Sequence, residues 1–439
     1  MTEISRRTRE PRPPSAHAHG AARPRGSRRL PRWSEIAPLL TSAPRDRDPV
    51  RRRLARAHDI EDLREMARRR TPRSVFDYVD GGAETESTRR RNASAFDDVE
   101  FLPQVLRDVS RVDPSTTILG RPVSMPFVFA PTGFTRMVQH EGEAAVARVA
   151  EREGVPYALS TMGTISPEDL AAAAPGADRW FQLYVWRDRA ASRRLLGRAA
   201  AAGFTTLVVT VDVAVPGARL RDLRSGMTIP PTLTLRTLAG IARRPRWWFD
   251  VVTHEPLRFA ALEDVGGGFT DVVNGIMDPG VDFADLEWMR EHWSGDIVVK
   301  GVLNPRDART VVDCGVQAVA VSNHGGRQLD RAASTLAALP EVRAAVGTDA
   351  EVYLDGGVRS GTDLAAALAH GADAVLVGRP YLYGLMAGGE QGVDRVHDLY
   401  RQGFLRALAL LGVTSVGELG PHLLRCPPAH GPRVTTPVE

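Results

Sequence analysis

Eight short apolar runs, spaced from about residue 127 to residue 379, constrain the fold more than any other feature of the sequence. Ala-rich segments with helical spacing lie between several of them, at residues 141–153, 190–202, 305–314 and 360–370. Eight units of strand and helix predict a closed (β/α)8 TIM barrel. A doubly wound open sheet is the alternative, but it usually has fewer strands and an early G-x-G-x-x-G motif, which is missing here. The runs are residues 127–132, 157–161, 180–185, 206–212, 297–301, 318–324, 352–357 and 374–379.

The predicted barrel occupies residues 126–425, and the segments around it differ in composition. Residues 1–50 are rich in Arg and Pro and predict a disordered leader. Residues 51–125 predict a helical and irregular lead-in, and residues 426–439 a tail. Inside the barrel, residues 216–281 follow the fourth strand and contain no predicted helix. A connection of that length is typical of a lid or an insertion.

Charge and cysteine content limit the compartment and the partners. The net charge is +4, the basic excess is concentrated in the leader, and Cys314 and Cys426 are the only cysteines. A disulfide framework is therefore excluded, no metal-ligand spacing of Cys or His is present, and a reducing cytoplasm is expected. The leader is either a solvated tail or a weak tether to anionic lipid. Residues 243–249 mix Arg with aromatics, which suits either a peripheral contact with the inner face of the cell membrane or packing on the barrel.

The apolar run at 318–324 ends in a histidine, and an arginine follows three residues later. Gly325 and Gly326 between them allow a sharp turn and a close approach of the backbone to a ligand. The imidazole of His324 beside the guanidinium of Arg327 suits proton abstraction from a small acid. A core strand followed by two solvated side chains would give the same pattern.

Lysine usage identifies a second candidate. The chain has 57 Lys and Arg residues, and Lys300 is the only lysine. It stands at the end of the apolar run 297–301, where barrel enzymes carry their chemistry. We therefore expect a compact point charge, which a planar guanidinium cannot replace, to be needed at this position.

The last two apolar runs end in turns that suit a phosphate. Residues 355–361 read DGGVRSG and residues 378–380 read GRP. Glycines there would expose backbone N–H groups, and Arg359 and Arg379 would add positive charge. Tight turns with surface arginines are the alternative. A phosphate would belong either to a phosphorylated substrate or to a mononucleotide cofactor.

Five segments of the sequence carry a resemblance to a known family. SNHGGRQLD, DGGVRSG, VGRP, FQLYVWRDR and TVDVAVPGARLRDLRSGM closely resemble the FMN-dependent α-hydroxy-acid oxidases and dehydrogenases, above all the flavin-linked respiratory L-lactate dehydrogenases. The resemblance extends from about Asp59 to Leu424 and implies FMN in the mouth of the barrel. It implies a negative charge on the reduced flavin that Lys300 would stabilise. The implied FMN contacts are Pro131, Thr132, Gly133, Ser160, Gln182, Thr210, Lys300, Ser322, Asp355, Gly356, Gly357, Val358, Arg359, Gly378 and Arg379.

The same resemblance implies roles for the residues around the substrate. His324 would be the base and Asp212 would pair with the imidazolium that forms. Tyr184 would hydrogen-bond the substrate hydroxyl, and the substrate carboxylate would be held by Tyr78, Arg219 and Arg327. A homotetramer is also implied.

These residues together favour oxidation of an L-2-hydroxy acid, with L-lactate converted to pyruvate and the electrons passed to quinone or another acceptor. One alternative is an oxidase that makes hydrogen peroxide from longer or mandelate-like acids. Another is a flavin barrel with a redox-neutral or peptide-modifying role. Nucleic acid is not an expected partner, because the basic leader has no interleaved aromatic residues.

Overall fold

The computed structural model describes residues 30–37, 46–227, 240, 242–257 and 278–425. The chain divides into two units between Arg47 and Asp48. The described part of the first unit contains one short helix, Trp33–Ile36, in which the side chain of Glu35 accepts from the backbone N–H of Arg32 at 2.9 Å. Most of the predicted leader and all of the predicted tail lie outside the described residues.

The second unit is built on a closed barrel of eight parallel strands, as the sequence predicts. Each strand pairs with the next one along the chain, and the last, Ala374–Val377, closes the ring by pairing with the first, Phe127–Phe129. Their residues are almost all buried, which explains the continuous apolar runs, because a parallel strand has neighbours on both faces. The strands are β3 Phe127–Phe129, β4 Tyr157–Ser160, β5 Arg179–Leu183, β6 Thr206–Thr210, β7 Asp296–Val302, β8 Ala318–Val321, β9 Glu351–Asp355 and β10 Ala374–Val377.

A two-stranded antiparallel hairpin, β1 Thr116–Ile118 and β2 Arg121–Val123, covers the N-terminal end of the barrel. The backbone N–H of Leu119 donates to Glu351 Oε1 at 2.9 Å, and Arg121 Nη2 donates to Asp296 Oδ2 at 2.7 Å. Glu351 and Asp296 are the first residues of β9 and β7, so the opposite end of the barrel stays open for a site.

Most of the strands end earlier than the apolar runs that predicted them. β3 ends at Phe129 where the run continues to residue 132, and β8 ends at Val321 where the run continues to residue 324. The final residues of the other seven runs lie beyond the strand ends, whereas β7 continues one residue past its run, to Val302. In β8 the change is sharp, because His324 adopts the left-handed conformation, with φ of 57°.

The predicted helices between the strands are confirmed to within one residue at each end, at Gly142–Glu153, Arg189–Ala201, Pro305–Asp313 and Gly361–Ala369. Polar N-cap side chains start three of the four; the side chain of Asp188, for example, accepts from two backbone N–H groups of its helix. None of the described helices is both long enough and apolar enough to cross a membrane. Among the described residues, the other α-helices of this unit are Pro49–Leu54, Ile60–Arg70, Arg73–Asp80, Ser87–Ser94, Thr135–Val138, Pro167–Ala173, Leu220–Ser225, Pro245–Thr253, Phe283–His292, Thr335–Val346, Arg379–Gly388 and Glu390–Leu411, and short 3-10 helices lie at His324–Gly326, Val416–Glu418 and Pro421–Leu423.

The prediction that the excursion contains no helix is wrong. The described part of residues 216–281 contains the helices Leu220–Ser225 and Pro245–Thr253. The second begins with a proline at its first position, where the missing N–H costs nothing. Tertiary contacts hold it, since Trp247 Nε1 donates to the carbonyl oxygen of Met137 at 3.1 Å.

Asp80, at the end of the helix that carries Tyr78, joins the lead-in to the barrel. Its side chain is fully buried and accepts two bonds from Arg64, at 2.6 and 3.0 Å, one from Arg221 at 2.6 Å and one from the hydroxyl of Tyr383 at 2.8 Å. Burial alone would raise the pKa of Asp80, but Arg64 outweighs it and holds the pKa well below its ordinary value. The network fixes the end of the helix beside the barrel mouth.

Candidate active site

A cavity of about 850 Å³ lies at the C-terminal ends of the barrel strands, within the size range of cofactor and substrate sites. The structure brings most of the predicted site residues to its wall. Four others, Gln182, Thr210, Asp212 and Ser322, lie outside its lining, and Thr210 lines a neighbouring cavity of about 400 Å³. The predicted residues in the wall are Tyr78, Pro131, Thr132, Gly133, Ser160, Tyr184, Arg219, Lys300, His324, Arg327, Asp355, Gly356, Gly357, Val358, Arg359, Gly378 and Arg379.

His324 and Asp212 form a pair at this mouth. His324 Nδ1 lies 2.9 Å from Asp212 Oδ1, while Asp212 Oδ2 is buried and has no hydrogen-bond partner in the described part of the chain. Burial would raise the pKa of Asp212, but the neighbouring imidazole and Lys300 outweigh it and lower that pKa. The carboxylate therefore stays ionised and fixes the orientation of the ring, with Nε2 as the nitrogen left for a substrate.

Lys300 is held by two side chains from the next strands. Its Nζ lies 2.8 Å from Asp355 Oδ2 and donates to Ser322 Oγ at 3.0 Å, and Ser322 Oγ donates to Asp355 Oδ2 at 2.6 Å. Burial opposes the charge, but the carboxylates of Asp355 and Asp212 outweigh it and raise the pKa of Lys300. The ammonium of Lys300 therefore lines the cavity in a fixed position. Ser322 lies outside the cavity lining and holds this ammonium through the hydrogen bond.

Two guanidiniums face the ring of Tyr78. The central carbons of Arg219 and Arg327 each lie 5.1 Å from its centroid, within the range of cation–π attraction. Burial, together with the charge of Arg219, lowers the pKa of Arg327 to about 10. The nearest carboxylate, that of Asp222, lies 3.4 Å from Arg219 Nε. Two half-buried guanidiniums beside one ring favour an anionic ligand, which would relieve their repulsion.

Tyr184, at the end of β5, completes the polar side of the pocket. Burial, reinforced by the negative charge of Asp212, raises the pKa of its phenol above the ordinary value. The hydroxyl therefore stays protonated at neutral pH and can donate a hydrogen bond to a substrate oxygen.

One of the arginines predicted to bind a phosphate lines the cavity and also holds neighbouring backbone segments in place. Arg379 lines the cavity but also donates to the carbonyl oxygens of Val79, Gly81 and Gly325, at 3.0, 2.6 and 2.8 Å. It stands at the first position of the helix Arg379–Gly388, whose N-terminus favours anions. Arg359 lines the same region.

Sequence reasoning missed Arg89 and Asn92, which also line the cavity, from the helix Ser87–Ser94. Asn92 exchanges hydrogen bonds of 2.7 and 2.8 Å with the buried amide of Asn323, next to the base. A Cβ on Gly357 would come within 2.2 Å of the carbonyl oxygen of Asn92, so glycine is required there by packing. The sequence did not single out this helix, because three consecutive arginines at 89–91 are typical of a solvated surface.

The buried polar groups of the site fit FMN. Gln182 Oε1 accepts from Ser160 Oγ at 3.1 Å, but its amide nitrogen is buried and lacks a hydrogen-bond partner among the residues described. A buried donor that the protein leaves unpaired can donate a hydrogen bond to a ligand. An ammonium, an amide donor and a helix N-terminus with arginines match the ring and phosphate of a flavin mononucleotide.

Comparisons with known proteins agree with this geometry. The family model described as "FMN-dependent dehydrogenase" matches residues 67–426. The chain is 51% identical to a putative L-lactate dehydrogenase of Mycobacterium tuberculosis, covering 90% of this chain and 95% of the relative. It is 46% identical to an L-lactate dehydrogenase of Caulobacter vibrioides, covering 83% and 96%.

Two solved structures are similar over most of the chain. A monotopic membrane protein, (S)-mandelate dehydrogenase, has a TM-score of 0.81 and 37% identity, covering 84% of this chain and 99% of that one. A mandelate oxidase variant with (S)-mandelic acid has a TM-score of 0.71 and 36% identity, covering 82% and 96%.

Proposed function

The chain belongs to the family of FMN-dependent dehydrogenases, and from that membership we propose that it oxidises an L-2-hydroxy acid, converting L-lactate to pyruvate. One observation carries the proposal. The pair His324–Asp212, two guanidiniums around Tyr78 and the chain's single lysine meet at the same barrel mouth. A base, an anion site and a fixed cation are the groups that this oxidation needs.

The substrate carboxylate is bound by Arg219 and Arg327. One carboxylate relieves the repulsion between these half-buried guanidiniums, and a guanidinium fork fits its two oxygens. The hydroxyl of Tyr78 adds a further contact. This anchoring turns the α-carbon toward His324.

His324 Nε2 takes the proton that the substrate releases, because Nδ1 is engaged with Asp212. The carboxylate of Asp212 stabilises the imidazolium, and Tyr184 donates to the substrate oxygen that becomes the carbonyl. When bound, FMN supplies the redox chemistry by accepting two electrons from the substrate. Lys300, Ser160 and Gln182 would hold its ring. Thr210 and Ser322, which lie outside the lining of the cavity, would support these side chains.

Quinone is the electron acceptor that we favour, and a peripheral membrane contact would bring it within reach. On the helix Pro245–Thr253, Phe249 and Val252 are 61% and 72% exposed, next to the exposed Arg243 and Arg246. Apolar side chains flanked by arginines suit the interface of an anionic membrane. Flotation with quinone-containing vesicles, comparing the protein with a Phe249→Ser/Val252→Ser variant, tests this contact. The homotetramer implied by resemblance stays a prediction.

A second candidate is an oxidase of mandelate-like acids, which the similarity to the solved structures of (S)-mandelate dehydrogenase and mandelate oxidase favours. Gly133 and Met162 shape the cavity. A Cβ on Gly133 would lie 2.7 Å from the Cβ of Met162, so the absence of a side chain at Gly133 makes space for Met162. This reading predicts faster flavin reduction by (S)-mandelate than by L-lactate.

Anaerobic stopped-flow reduction of the flavin by L-lactate, glycolate and (S)-mandelate separates these readings. We expect L-lactate to reduce the flavin fastest. Oxygen uptake compared with dye reduction then separates an oxidase from a dehydrogenase. If no 2-hydroxy acid bleaches the flavin, the proposal is wrong, and the redox-neutral or peptide-modifying reading gains support.

A further inference from the structure

A second cluster of chemically capable side chains lies away from the active-site cavity. His140 follows the short helix Thr135–Val138, while Asp250 and His254 lie on and just after the helix Pro245–Thr253. The two imidazoles are stacked, with centroids 3.8 Å apart and planes 15° apart. Asp250 Oδ1 contacts His140 Nδ1 and lies 3.8 Å from His254 Nδ1. None of the three residues belongs to the cavity wall described above.

We propose that His140, Asp250 and His254 bind a divalent transition-metal cation, for which Zn²⁺ is the best match. Within the described residues, one nitrogen from each histidine and one carboxylate oxygen lie within 4.8 Å of one another. Two imidazoles with one carboxylate are a known ligand set for Zn²⁺ and leave a fourth position for water. His140 and Asp250 are half-buried and His254 is exposed, so a cation can enter from solvent.

The geometry needs only side-chain movement to accept the cation. Bonds of about 2.0–2.2 Å at tetrahedral angles place ligand atoms roughly 3.3 Å apart. The proton between His140 Nδ1 and Asp250 would leave, and the two rings would turn out of their parallel stack so that an in-plane lone pair of each points at the cation. Two existing contacts of Nδ1 atoms compete with the cation: the amide nitrogen of Gln139 lies 3.1 Å from His140 Nδ1, and the carbonyl oxygen of Asp250 lies 2.6 Å from His254 Nδ1.

A bound cation would fasten the excursion to the barrel. The segment with His140 follows the loop Pro131–Gly133 at the cavity, whereas Asp250 and His254 belong to the excursion. The two are already joined by the backbone N–H of His140, which donates to Asp250 Oδ2 at 3.1 Å, and by Trp247 Nε1 to Met137 O. Metal binding adds strength to these contacts without touching the reacting groups.

Calorimetric titration of Zn²⁺ into chelator-treated, FMN-loaded, full-length protein tests the site. We expect one equivalent bound by the protein and by the matched control His58→Ala, which removes an exposed histidine elsewhere. His140→Ala and His254→Ala should each weaken binding at least ~10-fold. Co²⁺ should give the visible absorption of a tetrahedral nitrogen and oxygen site in the first two proteins and lose it in the other two.

Hydrogen exchange of the helix Pro245–Thr253 gives a readout independent of activity. Zn²⁺ should slow exchange in the protein and in His58→Ala, and leave the His254→Ala variant unchanged. Equal Zn²⁺ binding by all four proteins, or none by the unaltered protein, would overturn the proposal. If the exchange rate changes with pH but not with Zn²⁺, the cluster binds a proton rather than a metal ion. That result would also overturn the proposal.

Discussion

The Asp212→Asn substitution removes the negative charge beside His324 while keeping a side chain of nearly the same shape. Asparagine keeps an oxygen that can accept the hydrogen bond from His324 Nδ1, now 2.9 Å long. It removes the negative charge that stabilises the imidazolium formed when the substrate gives up its proton. Because Asp212 Oδ2 has no partner in the described part of the chain, this charge acts mainly on His324 and Lys300.

The size of the loss follows from the geometry. With charge centres roughly 4 Å apart and an effective dielectric constant of about 20, the attraction is ~4 kcal/mol. The hydrogen bond that asparagine retains offsets about 1 kcal/mol of this lost attraction. The remaining ~3 kcal/mol corresponds to a loss of roughly 10²-fold in kcat/KM for L-lactate.

The assay is steady-state dye reduction by L-lactate, with flavin absorbance measured to confirm equal FMN content. If Asp212 acts through His324, adding Asp212→Asn to His324→Ala should cost nothing further. Additive losses in that double variant, or a single-variant loss below about threefold, would refute the reasoning.

Further substitutions test the other groups. His324→Ala should keep the yellow FMN spectrum but lose turnover by roughly 10²–10⁴-fold; retained turnover would exclude it as the base. Lys300→Met should lower FMN occupancy or the flavin reduction rate; unchanged values of both would count against the assigned role. Arg219→Lys should raise KM for L-lactate roughly tenfold, because an ammonium cannot offer the planar fork. Asp80→Asn should lower the free energy of unfolding in urea by about 3–5 kcal/mol. The pKa of Asp80 is depressed in the fold, so this difference should be constant above about pH 5 and shrink below about pH 4; a pH-independent difference would contradict the network.

The sequence predicts the barrel well because buried parallel strands leave continuous apolar runs. It predicts Lys300 from composition and His324 from its place after β8. The strand ends were less accurate, because apolar residues such as those after Phe129 continue past the last ladder pair. The apolar pattern of the sequence indicates which residues are buried. The hydrogen-bonded strand ends earlier, where the backbone turns.

Contacts between distant segments could not be predicted. The network at Asp80 draws Arg64, Arg221 and Tyr383 from three other parts of the chain, and no local pattern links them. The cluster of His140, Asp250 and His254 escapes a search for metal-ligand spacing for the same reason, since 110 residues separate the first two. The helix Pro245–Thr253 was missed because tertiary contacts, rather than an apolar repeat, hold it.

The pairing of β10 with β3 also has a consequence during synthesis. The ring of strands cannot shut until residues 374–377 have left the ribosome, so nascent chains carry two unpaired strand edges for most of translation. Loading of the flavin must then be a late event, after release of nearly the whole polypeptide. Overexpression that outruns the supply of FMN should accordingly yield closed but colourless protein that regains its colour when the cofactor is added.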